Sequence, residues 1–73
     1  MRCFATFDVT SSALMFEQVT RDAGFGVRLA PVPRSISASC GLACQFQPEE
    51  YDALVDFAAQ KGLDVTSWHK LED

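Results

Sequence analysis

Twice along this chain a short stretch with a hydrophobic period of two is followed by a longer stretch with helical period and then by another short one. Few folds accept that order. From Arg2 to Asp8, Cys3, Ala5 and Phe7 fall on one side of an extended strand and Phe4 and Thr6 on the other. Ala13, Leu14, Phe16, Val19 and Ala23 then form an apolar stripe at helical spacing. Asp8, Thr10 and Ser11 precede it as N-capping side chains, and Gly24 closes it as the residue just past the end. Between Gly26 and Val32 the period returns to two, until Pro31 and Pro33, which have no amide to donate, end the ladder. Leu42, Cys44 and Phe46 alternate with Ala43 and Gln45 as a third strand. Pro48, Glu49 and Glu50 open a second helix, with the proline in its first turn and the acids at the positive end of its dipole. Its buried stripe is Tyr51, Leu54, Val55 and Ala58, and Gly62 ends it. Val65 to Leu71 is the last strand. Its register stays open, because Val65 and Leu71 share one parity and Trp68 takes the other.

The order β-α-β-β-α-β predicts an α+β, ferredoxin-like domain spanning residues 1–73. Right-handed crossovers put both helices on one face of an antiparallel four-stranded sheet in the order 4-1-3-2. Phe7, Leu14, Phe16, Leu29, Leu42, Phe46, Leu54 and Val55 are the expected core. The other face would need cover, with Phe4, Ala43 and Trp68 forming an apolar patch there. That arrangement predicts a homodimer or a docking contact through the open sheet face.

The net charge is −4, and the six basic residues are scattered. Both facts argue against nucleic acid as a partner, since phosphate binding needs clustered Lys and Arg. No apolar run approaches the roughly 20 residues that span a bilayer, and the start lacks a signal-peptide pattern, so the expected address is cytoplasmic with no membrane association. Three cysteines without a CxxC pair suggest reduced thiols rather than a disulfide framework or a metal site. We expect no cofactor.

One connection stands apart. Between the second and third strands the chain reads Pro31-Val32-Pro33-Arg34-Ser35-Ile36-Ser37-Ala38-Ser39-Cys40-Gly41-Leu42-Ala43. It is rigid at one end, rich in hydroxyls in the middle, and finished by a cysteine beside a glycine that leaves the sulfur open to a large partner. The Ser35, Ser37 and Ser39 hydroxyls most simply satisfy loop backbone, for no base accompanies them. In the predicted topology this loop lies at the end of the sheet that also carries the N-terminus of the first helix. Amides around Ser11, Ser12 and Ala13 would then face an anion there, with Arg34 as a second positive contribution, which would lower the Cys40 pKa.

Pro31-Val32-Pro33-Arg34, Ile36-Ser37 and Cys40-Gly41-Leu42-Ala43, together with Ala5-Thr6-Phe7, resemble the selenium/sulfur carrier-like family of small bacterial domains. The resemblance covers nearly the whole chain, and Cys44 is not part of its pattern. It implies a carrier cysteine at Cys40 and, for a carrier, sulfur or selenium donor and acceptor proteins as partners; the predicted topology, and not the resemblance, sets Arg34, Ser39, Gly41, Ser11 and Ser12 around the cargo. Such a protein is a relay more than a turnover enzyme. Two plainer readings stand beside it. A cysteine in a small domain is most often a buried hydrophobe, and we read Cys3 and Cys44 that way. The alternative function is a non-catalytic regulatory or interaction module, since this fold hosts many functions. Four residues of strand span about 13 Å, too far for a Cys40–Cys44 bridge within one chain. His69, the one histidine, has no evident partner and reads as a surface residue.

Overall fold

Cys3 and Ala5 look to one side of the first strand and Phe4 and Thr6 to the other, and the two sides are covered by different parts of the chain. The structure, a computed structural model, describes residues 1–36 and 41–72. Among these, β1 (Arg2–Thr6), β2 (Arg28–Pro31), β3 (Leu42–Phe46) and β4 (Ser67–Leu71) make one antiparallel sheet in the order β2-β3-β1-β4, which is the expected ferredoxin-like order. Helices α1 (Thr10–Asp22) and α2 (Tyr51–Lys61) both pack on the Cys3–Ala5 side. Ala13 and Phe16 of α1 and Leu54 and Ala58 of α2 meet Cys3, Ala5, Cys44 and Phe46 there. No helix of the described residues is long and apolar enough to cross a membrane.

Several boundaries and caps differ from expectation. β1 ends at Thr6, β2 begins at Arg28, and β4 begins at Ser67. Val65 therefore lies in the connection before β4, which removes the parity conflict. Trp68 sits opposite Ala5 on the helix side, and Leu71 opposite Arg2 on the other. The N-cap of α1 is Val9, with no side-chain cap bond, so none of Asp8, Thr10 and Ser11 takes the N-cap position expected of them. Its far end is as expected. Gly24 adopts φ +98, and the amides of Gly24 and Phe25 donate to Arg21 and Thr20 carbonyls at 3.0 Å each, the paired bonds of a Schellman ending. A 3-10 turn over Pro48–Glu50 precedes α2. The Glu50 carboxylate accepts from the Gly26 amide at 2.9 Å and ties that turn to the start of β2.

Phe7, Phe16, Phe46 and Leu54 are buried as expected, whereas Leu29, Leu42 and Val55 are half-buried and Leu14 is exposed. In place of Leu14 the third inward position of α1 is Thr20, completely buried. Its hydroxyl donates to the Phe16 carbonyl at 2.7 Å, so a polar residue enters the core with its donor satisfied by its own helix. Phe7, Phe16, Phe46, Tyr51 and Trp68 form a chain of tilted and edge-on ring contacts with centroids 5.4–6.1 Å apart. Such contacts add to the roughly 1.5 to 3 kcal/mol from burying each ring.

The helix-free side corrects a second expectation. Phe4 and Ala43 are not an exposed patch: they are 1% and 0% exposed, closed over by Ile36 with Val32 and Leu71. Trp68 is not on that side at all. The apolar contact that would have justified a dimer through an open sheet face is consumed within the chain.

Candidate functional site

Antiparallel pairing brings three connections to one end of the sheet. Thr6 lies beside both Ala43 and Ser67, and Pro31 opposite Leu42. The β1–α1 connection, the β2–β3 loop and the α2–β4 connection therefore share this end, as the sequence predicts for the Cys40 loop and the start of α1. The loop's neck is closed by the Val32 amide donating to the Gly41 carbonyl at 3.2 Å, one step past the Pro31–Leu42 pair. Beyond it the Ile36 amide donates to the Pro33 carbonyl at 3.0 Å, making a turn with Arg34 and Ser35 exposed at its centre. Burial of Ile36 against Phe4 and Ala43 holds this turn on the helix-free side.

Cys40 and Ser39 lie outside the described residues. Gly41 is exposed, and a Cβ placed on it would meet nothing within 4 Å among the described residues. The packing of the described residues does not demand glycine here. Ser11 is exposed and Ser12 half-buried in the first turn of α1. The Arg34 turn and the first turn of α1 thus share an end of the sheet but sit on opposite faces.

The two described cysteines are core thiols. Cys44 donates from Sγ to the Ala13 carbonyl at 3.5 Å, and both Cys44 and Cys3 are completely buried. Burial pushes the Cys3 thiol pKa up, against a smaller opposing pull from Lys70, so neutral pH keeps it protonated. His69 has a partner after all: its Nε2 lies 3.5 Å from Thr6 Oγ1, which also donates to the Ser67 carbonyl at 3.4 Å. Among the described residues no group of three or more His, Cys, Asp or Glu side chains could hold a metal ion.

Sequence reasoning missed the outer surface of α1. Val9, Leu14 and Met15 are exposed, and Val9 and Met15 border hollows shared with Ser12, Leu63 and Asp64. The signal was present in Ala13-Leu14-Met15-Phe16: with 3.6 residues per turn, four consecutive apolar positions cannot all face inward.

A family model described as Putative Se/S carrier protein-like matches residues 2–70, which is nearly the whole chain and includes both the sheet and the Cys40 loop. No curated protein and no solved structure matches the chain.

Proposed function

The chain belongs to this selenium/sulfur carrier-like family, and from that membership we propose that it accepts a persulfide or perselenide on Cys40 and relays it to an acceptor. In the sulfur case the Cys40 thiolate attacks the outer sulfur of a donor persulfide, R–S–SH. A bond forms between Cys40 Sγ and that sulfur, the donor's S–S bond breaks, and the donor leaves as R–S⁻, with the proton retained on the transferred sulfur. Transfer to the acceptor thiolate repeats the step with Cys40 as the leaving group. A perselenide follows the same balance with selenium as the transferred atom.

The observation that carries this reading is the family match over a chain whose other two thiols, Cys3 and Cys44, are both buried in the core. The surroundings support it. Gly41, whose Cβ position is open among the described residues, lies next to Cys40 in the sequence. Ser11 and Ser12 at the start of α1, Ser39, and Arg34 at the exposed turn are the groups proposed to surround the anionic cargo, the serines of α1 from one face and Arg34 from the other. The protein would act on cytoplasmic donor and acceptor proteins and needs no cofactor of its own. The alternative, an interaction module working through an open sheet face, loses its main support because Phe4 and Ala43 are covered.

Thiol labelling of the native protein tests the reading. At neutral pH one thiol should react fast and map to Cys40, with Cys3 and Cys44 labelled only after unfolding. Three slow thiols would refute a carrier role for Cys40.

A further inference from the structure

A relay protein must seat a donor and an acceptor in turn, and the end of the sheet that holds Gly41 also holds an unusual surface. Among the described residues the exposed large hydrophobics are Met1, Val9, Leu14 and Met15, at 55%, 53%, 48% and 61% exposure. Three of these four fall within the stretch from Val9 to Met15. Val9 lines a cleft of about 420 Å³ with Ser12 and Leu63, and Met15 borders an adjoining hollow that shares those two residues. The two hollows make one groove between the start of α1 and the turn leaving α2.

The groove lies at the end of the molecule that holds Gly41. Ala13 of α1 sits 3.5 Å from the Cys44 thiol. Gly41 precedes Cys44 by three strand residues, about 10 Å, and Val9 precedes Ala13 by four helical residues, about 6 Å. α1 and β3 both start from this end of the sheet. Among the described residues the charged side chains lining it are Asp8 and Asp64, both exposed, on a chain of net charge −4, and they flank Ser11 and Ser12, where the anionic cargo is proposed to sit. Such a surface attracts and orients a basic partner and repels an acidic one. Met15 at its edge suits repeated use, because an unbranched thioether side chain repacks against differently shaped partners.

We infer that this groove is where partner proteins dock to exchange cargo with Cys40, and that its occupant is an apolar side chain flanked by lysine or arginine on the partner. The inference rests on the carrier reading for its purpose, though the groove's binding preference can be measured without it.

The test is an amide chemical-shift titration of the whole chain with the peptide acetyl-Lys-Lys-Leu-Phe-Lys-Lys-amide, and with the same peptide carrying Glu in place of Lys. The lysine peptide should shift resonances of Val9 to Met15 and of Gly62 to Thr66, and the glutamate peptide should not. Met15→Glu and Asp64→Lys, both at exposed positions, should each weaken binding about tenfold or more while leaving the spectrum of the folded protein intact. The inference is overturned if the shifts fall on other acidic parts of the helices or on the helix-free side, if the glutamate peptide binds equally well, or if neither variant matters. It is also overturned if raising the protein concentration alone moves the same resonances, which would make a second copy the occupant. Cys40→Ser should keep peptide binding, and Met15→Glu should keep its loading by inorganic tetrasulfide. Lost loading with intact peptide binding would count against the carrier reading alone, and the reverse pattern against the docking groove alone.

Discussion

The two faces of this sheet are closed in different ways. On the helix side, Phe7, Phe16, Phe46, Leu54 and their neighbours are covered by regular elements whose apolar stripes match the pleat. On the other side a cluster of Phe4, Ala43 and Ile36 is closed by the loop that carries Ile36, with Val32 and Leu71 added among the described residues. The first holds most of the buried apolar volume and therefore most of the stability. The second is thin, and its main contribution is to anchor the loop that leads to Cys40. A defect on the helix side should unfold the chain, whereas a defect beneath the loop should mainly release the loop from the sheet.

The largest expected effect comes from Phe16→Ala. Phe16 is completely buried and touches the rings of Phe7 and Trp68, so the loss should be about 3 to 5 kcal/mol, enough to unfold a domain of this size. Urea unfolding followed by circular dichroism reads it directly. Ile36→Ala should cost less, about 2 kcal/mol at the low end of the usual range, because Ile36 sits at the margin of a small cluster. Hydrogen exchange should then quicken at the Ile36 amide, bonded to Pro33, while β1 and β3 stay protected. Equal losses in the two variants would erase the contrast between the faces.

Glycines sharpen the comparison at a smaller scale. Gly62 ends α2 at φ +65, so Gly62→Ala should destabilise by about 1 kcal/mol in thermal or urea unfolding. Gly41 has no neighbour for a Cβ among the described residues, so Gly41→Ala should be neutral or add up to about 0.5 kcal/mol. Under the carrier reading the same change slows transfer to protein partners more than reaction with small thiols. A large stability loss in Gly41→Ala would mean that the fold, and not access to Cys40, requires the glycine.

The smallest effect is a slope. The Cys3 pKa is raised by burial, so the folded state resists losing that proton. Its contribution to stability is complete below the unfolded thiol pKa of about 8.5 and is lost as pH rises through the folded value. The stability of Cys3→Ala should therefore fall less steeply than that of the parent above about pH 8.5. Identical slopes would mean that Cys3 does not hold its proton in the folded state.

The sheet order and the shared helix face were legible because short alternating runs and two glycine-terminated helices leave few topologies. What escaped has physical causes. Thr20 was hidden because its hydroxyl bonds to its own helix carbonyls, so a polar residue occupies a core position. Leu14 was overcounted because apolar character at one position does not reveal which way a helix is rolled. The start of α1 looked capped by Asp8, Thr10 and Ser11, yet the helix begins after Val9, an offset of one or two residues that sequence seldom resolves. The cover of Phe4 came from Ile36, a large apolar residue in a serine-rich loop, together with Val32, and the location of Ile36 between serines was the available clue. In the site, the end of the sheet shared by Gly41 and the start of α1 was readable. The placing of the Arg34 turn on the face away from α1 was not, because it depends on where Ile36 packs.

The central claim is that Cys40 carries the cargo. Intact-protein mass spectrometry of chain isolated without reductant, and again after loading with inorganic tetrasulfide, measures it most directly. The account predicts one added sulfur or selenium atom on the parent, on Cys3→Ser and on Cys44→Ser, mapped to Cys40 by fragmentation, and none on Cys40→Ser. An adduct on Cys40→Ser equal to that of the parent, or one mapped to Cys3 or Cys44, would contradict it.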